Sequence, residues 1–404
     1  MFESEVNPEK VEKVDLVVSI PSYNEADSID YPTKQASIGL TKYFPDKRSV
    51  IINCDNNSPD NTKKAFLNTV TEVPKIYIST PPDVKGKGNN FKNLFRKVVE
   101  LKAKAIVVVD ADLQSITPEW IRHLGEPLFN GFSYVAPLYV RHKYDGTITN
   151  GIAYPLSRAL YGRRVRQPIG GDFGFSGNIG KSFLESDIWD KSTANFGIDI
   201  WMTTLAFNKG VRVCQAFMGR PKIHRPKDPA AALGPMFRQV VGTIFSMMQN
   251  FESCWLKTKY SKPTAIYGFG LGEVEIPPKV DVDTEKLIQN FHDGFDQYGD
   301  IWQNALSIDV YQKLIEIKGM KKEIFDFPTD LWARVLYDWA VAYREAADKD
   351  LLMESLIPLY FGKTLSFVKK SRKMTIQQAE EAIEEDCMTF EMTKPYLIQK
   401  WMRK

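Results

Sequence analysis

Short apolar runs alternate with polar, helix-length stretches through the first half of the chain. "DLVVSIP" (15–21), "SVIINCD" (49–55), "KIYIST" (75–80) and "AIVVVDAD" (105–112) are each of strand length and rich in Val and Ile. Between them, 61–71 and 89–103 are long enough to form crossover helices. Near-continuous apolar runs suit strands covered on both faces, so the pattern predicts a largely parallel sheet in an α/β arrangement. Each run ends in polar residues: Ser22 and Asn24, Asp55 and Asn56, Asp110 and Asp112. In open α/β sheets, ligands bind at the carboxyl ends of the strands.

From about 131 to 224 the pattern loosens. "FSYVAPLYVR" (132–141), "GGDFGFSG" (170–177) and "VRVCQAFMG" (211–219) read as further strands separated by Gly-rich connections. In "MFRQVVGTIFSMMQNFESCWL" (236–256), Phe237, Val240, Val241, Ile244, Met248, Phe251 and Trp255 form one helical stripe, read as core packing. Residues 262–282, with several Pro and Gly, look like a connector. The remainder is helical in character over 283–298, 302–318, 328–347, 350–371 and 375–388. These boundaries predict an α/β domain over 1–262 and a mostly α-helical domain over 263–404. The second would serve packing, shaping or oligomerisation, and a homodimer is expected.

At 404 residues the chain is too long for one ordinary core, in agreement with two domains. Its 43% hydrophobic and 25% charged residues are those of a soluble globular protein, and a net charge of +3 argues against a dedicated nucleic-acid binder. Cys54, Cys214, Cys254 and Cys387 are far apart and show no metal-type spacing. "MFESEVNPEK" is unlike a secretory signal, and no apolar run approaches the ~20 residues of a membrane helix. A cytoplasmic protein with no membrane or nucleic-acid partner is therefore expected.

Chemistry enters at "DADLQSITPEWI". Two carboxylates two residues apart point to the same side of an extended backbone. Such a pair can hold a divalent cation, and hard oxygen ligands suit Mg²⁺ or Mn²⁺. Thr117 as N-cap, Pro118 at the first helical position and Glu119 in the first turn start a helix that anchors the loop. An isolated D-x-D is more often a solvated strand end. Here "PSYNEAD" (21–27), "NCDNNSPDNT" (53–62) and "KGKGNN" (85–90) fall beside predicted strand ends or helix starts, so the four segments would ring one end of the sheet.

With "DGTITN", "RQPIGGDFGFSG", "NFGIDIWMT" and "KIHRPKD", these stretches make the chain resemble nucleotide-sugar glycosyltransferases of the GT-A fold. The resemblance is closest to retaining enzymes of the mannosylglycerate synthase, glucosylglycerate synthase and glucosyl-3-phosphoglycerate synthase type. It covers 15–230 in family order; the C-terminal third matches only in being helical. The fold it implies is a GT-A, Rossmann-like nucleotide-sugar domain. It also implies that Pro21, Tyr23, Glu25 and Asp55 frame the base and ribose, with Lys87 at the donor site. The last is not a Walker A lysine, because G-x-x-x-x-G-K-[ST] is absent. Asp112 and His224 would be metal ligands, with Asp110 assisting through water or holding the ribose, and Arg225 closing over the diphosphate. Arg141, Asp145 and Thr149 would meet the acceptor. Asp172 and Asp199 would stand near the reacting centre, although many relatives carry Glu where this chain has Asp172, whose reach is shorter. Bland readings stand beside these: turn chemistry for Asp55, a basic loop for Lys87, helix capping for Asp199, and a surface patch for Arg163, Arg164 and Arg166.

The activity so implied is metal-dependent transfer of a hexose, glucose being preferred over mannose, from a nucleoside-diphosphate sugar to D-glycerate, with 3-phosphoglycerate as the alternative acceptor. Retention is implied by the resemblance and by no spacing in the chain. A sugar nucleotidyltransferase would be expected to carry a Gly-rich phosphate loop near the N-terminus, and 15–30 contains no glycine. A non-catalytic nucleotide-sugar sensor would keep the donor residues without turnover.

Overall fold

The computed structural model describes residues 2–224, 229–268 and 275–403. Its strands, in chain order, are β1 (Ser4–Val6), β2 (Leu16–Ser22), β3 (Ser49–Asp55), β4 (Lys75–Ser79), β5 (Ala105–Val108), β6 (Tyr134–Leu138), β7 (Arg163–Arg164), β8 (Phe173–Ser176), β9 (Val213–Phe217), β10 (Lys262–Pro263) and β11 (Ala265–Tyr267). Nine of them form one sheet in the order β1-β4-β3-β2-β5-β8-β6-β9-β11. From β4 through β5 neighbours run parallel, and β6, β9 and β11 are parallel to one another. β8 is antiparallel to both β5 and β6, and β1 to β4. The predicted α/β layer with a largely parallel sheet is thus present, and one reversed strand sits in its middle.

The chain forms two compact units. The first comprises Met1–Val140, Val165–Asp228 and Thr264–Pro277; the second comprises Arg141–Arg164, Pro229–Pro263 and Pro278–Lys404. Where the hydrophobic pattern suggested one cut at 262/263, three segments are interleaved in each unit.

In the first unit the sheet is covered on both faces, as continuous apolar strands require. Leu16, Val18, Ile20, Ile51, Val107 and Val135 share one cluster with Ala36 and Leu40 of α1 (Asp30–Tyr43) and with Trp120, Ile121 and Leu124 of α4 (Pro118–Phe129). Between them in sequence lie the short α2 (Thr62–Asn68) and α3 (Lys87–Glu100). On the opposite face Phe95 of α3 stacks an aromatic group with Phe175, Phe183 of α6 (Gly177–Leu184) and Trp201 of α7 (Ile198–Asn208), with centroids 5.2–6.4 Å apart. Thr117 does take the extended N-cap conformation before Pro118, though its side chain makes no cap hydrogen bond.

The second unit is helical. It contains α5 (Tyr154–Tyr161) after a π turn at Thr149–Ala153, then α8 (Pro229–Asn250), α9 (Glu252–Trp255), α10 (Thr284–Ala305), α11 (Ile308–Lys318), α12 (Thr329–Glu345), α13 (Lys349–Ser355), α14 (Ile357–Ser371) and α15 (Ile376–Met402). The stripe on α8 and α9 is core as expected: Phe237, Val241, Met248 and Trp255 are fully buried. Trp302, Trp332 and Trp339 are buried with each indole N–H donated to a backbone carbonyl, so burial leaves no orphaned donor. A capping box between Thr375 and Gln378 starts α15, which continues through Pro395 well past the expected end at 388. Contrary to the sequence-based reading, 349–371 is long and apolar enough to cross a membrane by composition; two-thirds (67%) of that window is buried inside the unit, as in a core segment.

Candidate active site

Parallel β2, β3, β4 and β5 deliver Ser22, Asp55, Ser79 and the Asp110–Asp112 turn to one edge of the sheet. The reversal of β8 brings a different segment there. Because Val108 pairs with Phe173, the residues that lead into β8 lie beside those that follow β5. Asp172 Oδ1 accordingly accepts the Asp110 N–H at 2.8 Å. After β9 the chain returns along the same edge: His224 makes an isolated bridge with Leu113, Gln114 N–H donates to Ile223 O at 2.9 Å, and Ile223 N–H donates to Ser115 Oγ at 2.9 Å.

An ion network fills the centre. Lys87 Nζ, at the start of α3, lies 3.1 Å from Asp110 Oδ1 and 3.2 Å from Asp199 Oδ1 in the first turn of α7. Lys222 Nζ lies 2.8 Å from Asp110 Oδ2, 2.9 Å from Asp172 Oδ2 and 2.8 Å from Gly170 O. Burial alone would raise the Asp110 pKa, but the charges of Lys222 and Lys87 outweigh it and hold the carboxyl well below its usual range. For both lysines burial acts downward and the carboxylates win, Asp110 foremost, so each stays protonated well into alkaline conditions. Asp199 behaves differently: burial raises its pKa, and Lys87 only partly offsets this. The positive partners of Asp110 are therefore two protein ammonium groups. Lys222 was not among the residues the sequence pointed to.

Asp172 is fully buried; besides the Asp110 amide and Lys222 it accepts from Tyr139 Oη. In this arrangement Asp172 holds Asp110 and Lys222 in position. The double glycine has a local cause too. A Cβ on Gly171, whose φ is +90°, would stand 2.4 Å from Lys222 Nζ and 2.7 Å from Asp110 Oδ2. The missing Cβ lets the Lys222–Asp110 pair approach the backbone closely. In "KGKGNN" a Cβ on Gly88 would fall 1.9 Å from Thr193 O, and the Gly88 and Asn89 N–H groups donate to Asn195 O and Ala194 O at 3.2 and 3.1 Å. These first-turn amides of α3 are thus engaged within the protein, and Lys87 presents its side chain to the network.

Asp112 and His224 meet beside the network, with Oδ1 to Nδ1 at 3.0 Å; Asp112 is almost wholly buried and the His224 ring is partly open to solvent. Among the described residues no group of three or more His, Cys, Asp and Glu is arranged to hold a metal ion. A carboxylate and an imidazole are nonetheless suitable donors for Mn²⁺ or Mg²⁺ as a two-ligand site completed by ligand oxygens. Asp110, Asp112, Asp172 and Asp199 outnumber Lys87 and Lys222 by two carboxylates, which favours a doubly charged cation. The residues present fit such an ion.

The neighbouring rim is tied together by amides. Asn56 Oδ1 accepts from Gly86 N–H at 3.0 Å, its Nδ2 donates to Asn90 Oδ1 at 2.8 Å, and Asn90 Nδ2 donates to Ser22 O at 3.0 Å. Pro21 is buried within β2, and Tyr23 is partly exposed with Lys85 Nζ 5.1 Å from its ring centroid. Glu25 is buried and accepts from Ser28 Oγ. Asp55 is fully buried, its oxygens accepting from Ser22 Oγ, Ser58 N–H and Oγ, and Tyr77 Oη. All of these donors lie inside the protein, so Asp55 shapes the loop from beneath.

Arg141, Asp145 and Thr149 belong to the second unit. There Arg141 Nη1 is 3.4 Å from Asp145 Oδ2, and Thr149 is buried in the π turn. Of the three clustered arginines, Arg163 and Arg164 fall in the second unit and Arg166 in the first. Arg225 lies outside the described residues.

Residues 17–184 match the family model Glycosyl transferase family 2. No curated protein matches the chain. Among solved structures, glucosyl-3-phosphoglycerate synthase from Mycobacterium tuberculosis in complex with Mn²⁺, UDP and glucosyl-3-phosphoglycerate is similar at 21% identity, with a TM-score of 0.45 over 58% of this chain and 80% of that chain. The same enzyme with Mg²⁺ and UDP is similar at 23% identity, with a TM-score of 0.45 over 58% and 79%.

Proposed function

We propose that the protein is a metal-dependent, retaining glycosyltransferase that moves a hexose, preferentially glucose, from a nucleoside-diphosphate sugar to D-glycerate. The observation that carries this reading is the convergence of Lys87, Lys222, Asp110 and Asp199 beside the Asp112–His224 pair at the carboxyl edge of the sheet. Cations fixed where they are largely buried favour chemistry in which negative charge develops on a leaving phosphate.

In this reading Asp112 and His224 would hold Mg²⁺ or Mn²⁺, which when bound supplies positive charge at the diphosphate. Lys87 donates an ammonium hydrogen to a phosphate oxygen, a charge-assisted bond that strengthens as the glycosidic bond to the diphosphate lengthens. Asp110 and Asp199 orient that ammonium group, while Lys222 and Asp172 hold Asp110. The acceptor hydroxyl attacks the anomeric carbon from the side of the departing diphosphate, whose oxygen takes the hydroxyl proton. Arg141 is the proposed contact for the acceptor carboxylate, which would compete with Asp145 for its guanidinium. The alternatives within the same reading are 3-phosphoglycerate as acceptor and mannose as the transferred sugar.

Incubating the full chain with UDP-, GDP- or ADP-glucose, or GDP-mannose, tests the reading with Mg²⁺ or Mn²⁺ and either acceptor. Acceptor-dependent release of nucleoside diphosphate, with a glycoside retaining the donor's anomeric configuration, is expected. Triphosphate formation from pyrophosphate would instead indicate a nucleotidyltransferase, and donor binding without turnover a sensor.

A further inference from the structure

The helical unit contains a second concentration of positive charge that the donor chemistry does not use. Arg163, Lys257, Lys259 and Lys262 surround a hollow of about 410 Å³ flanked by Tyr161 and Tyr260. That volume lies within the range of small-molecule sites, roughly 300–1,000 Å³. No carboxylate lines it, and among the described residues none of the four cations is ion-paired. The contrast with the sheet edge is direct, since there each lysine faces two carboxylates. Four like charges gathered around one concavity repel one another until an anion enters.

The walls are held in place from behind. Arg163 pairs with Lys262 between β7 and β10, and Lys262 N–H donates to Gly162 O at 3.0 Å. Ser261 Oγ accepts from Arg158 Nε and Arg164 Nε at 3.1 and 3.0 Å and donates to Glu391 Oε1 at 2.7 Å. Buried Lys394 donates to the carbonyls of Trp255 and Thr258, both at 2.6 Å, fixing the segment that carries Lys257 and Lys259. A prearranged frame reduces the ordering that a ligand must bring about.

We propose that this hollow binds a small phosphorylated anion, with a phosphate monoester as the chemical class. A phosphate dianion offers three acceptor oxygens to several ammonium groups and to one guanidinium fork, which a singly charged carboxylate cannot satisfy. The two tyrosines supply flat, partly apolar flanks for the organic part of the ester. The proposal does not depend on the sugar-transfer reading.

Isothermal titration of the full chain with inorganic phosphate and with glycerol 2-phosphate tests it. Saturable binding is expected for both. Lys259→Ala and Lys262→Ala should each weaken it roughly tenfold, the scale of one charge-assisted hydrogen bond. Both lysines are exposed, so these variants should fold normally. No saturable binding overturns the proposal. So does binding that both variants retain while Lys87→Ala abolishes it, since the sheet-edge cluster would then be the site. Retention only on phosphatidylcholine vesicles containing phosphatidic acid, without binding of the free ester, would make it a membrane contact and overturn the proposal as well.

Discussion

Replacing Lys222 by Met keeps most of the side-chain stem and removes the ammonium group that joins Asp110, Asp172 and Gly170. Lys222 and Asp172 have side chains only 3% and 0% exposed, so water cannot substitute for the lost partner. Breaking a buried pair by deleting one member costs about 3–5 kcal/mol, chiefly because the remaining charge is left uncompensated. The lower end applies here: Asp110 keeps Lys87, and Asp172 keeps Tyr139 and the Asp110 amide. A two-unit chain is poorly served by a single unfolding free energy, so hydrogen exchange of peptides spanning 105–115 is the better readout. A loss of about 3 kcal/mol corresponds to roughly hundredfold faster exchange there, with peptides of the helical unit unchanged. Adding Asp172→Asn removes the stranded charge and should recover part of the protection, a non-additivity expected only of directly coupled residues. Exchange within a factor of about three of wild type in the single variant, or strict additivity in the pair, would refute the reasoning.

Gly171→Ala places a methyl group against Lys222 and Asp110 at a backbone φ of +90°, and should cost roughly 1–3 kcal/mol in strain, read as earlier melting of the first unit's own transition. An unchanged melt would count against the observed packing. Asp199 should be the first carboxylate on Lys87 to protonate as pH falls, because burial raises its pKa whereas that of Asp110 is held low. Its burial as an anion costs stability at every pH above its folded pKa, and acidification relieves that cost. Loss of the Lys87 contact on protonation should give kcat/KM an acid limb above the ordinary aspartate range. Asp199→Asn should abolish that limb, and an unaltered profile would contradict the assignment.

The strands of the parallel core were legible because β-branched runs bounded by polar ends have few other readings. The polar ends marked where the parallel strands finish together along one edge of the sheet. What could not be read was pairing between distant segments. Nothing in "GGDFGFSG" announces that β8 runs against its neighbours, yet that reversal puts Asp172 beside Asp110. Lys222, in a stretch with Arg220, Arg225 and Lys227, looks like one of several solvated cations. A usable signal was its position two residues before His224, in a segment already expected to return to Asp112. The short β1, β10 and β11 lack the length for periodicity, and β11 emerges from a Pro- and Gly-rich stretch that resembles a connector. Asp55 illustrates the opposite limit: its place at the ligand edge was predictable, but its four internal donors were not. Two crossings of the chain between its units, at 263/264 and 277/278, fall in the Pro- and Gly-rich stretch, whereas those at 140/141 and 164/165 carry no shift in composition to mark them.

Titration of UDP or GDP into the protein with and without Mn²⁺ tests the central claim most directly. The account predicts binding that strengthens markedly with Mn²⁺ in the native protein, and loses that dependence in Asp112→Ala and in His224→Ala while both variants remain folded. Equal binding with and without the ion, or the same Mn²⁺ dependence in both variants, would contradict it.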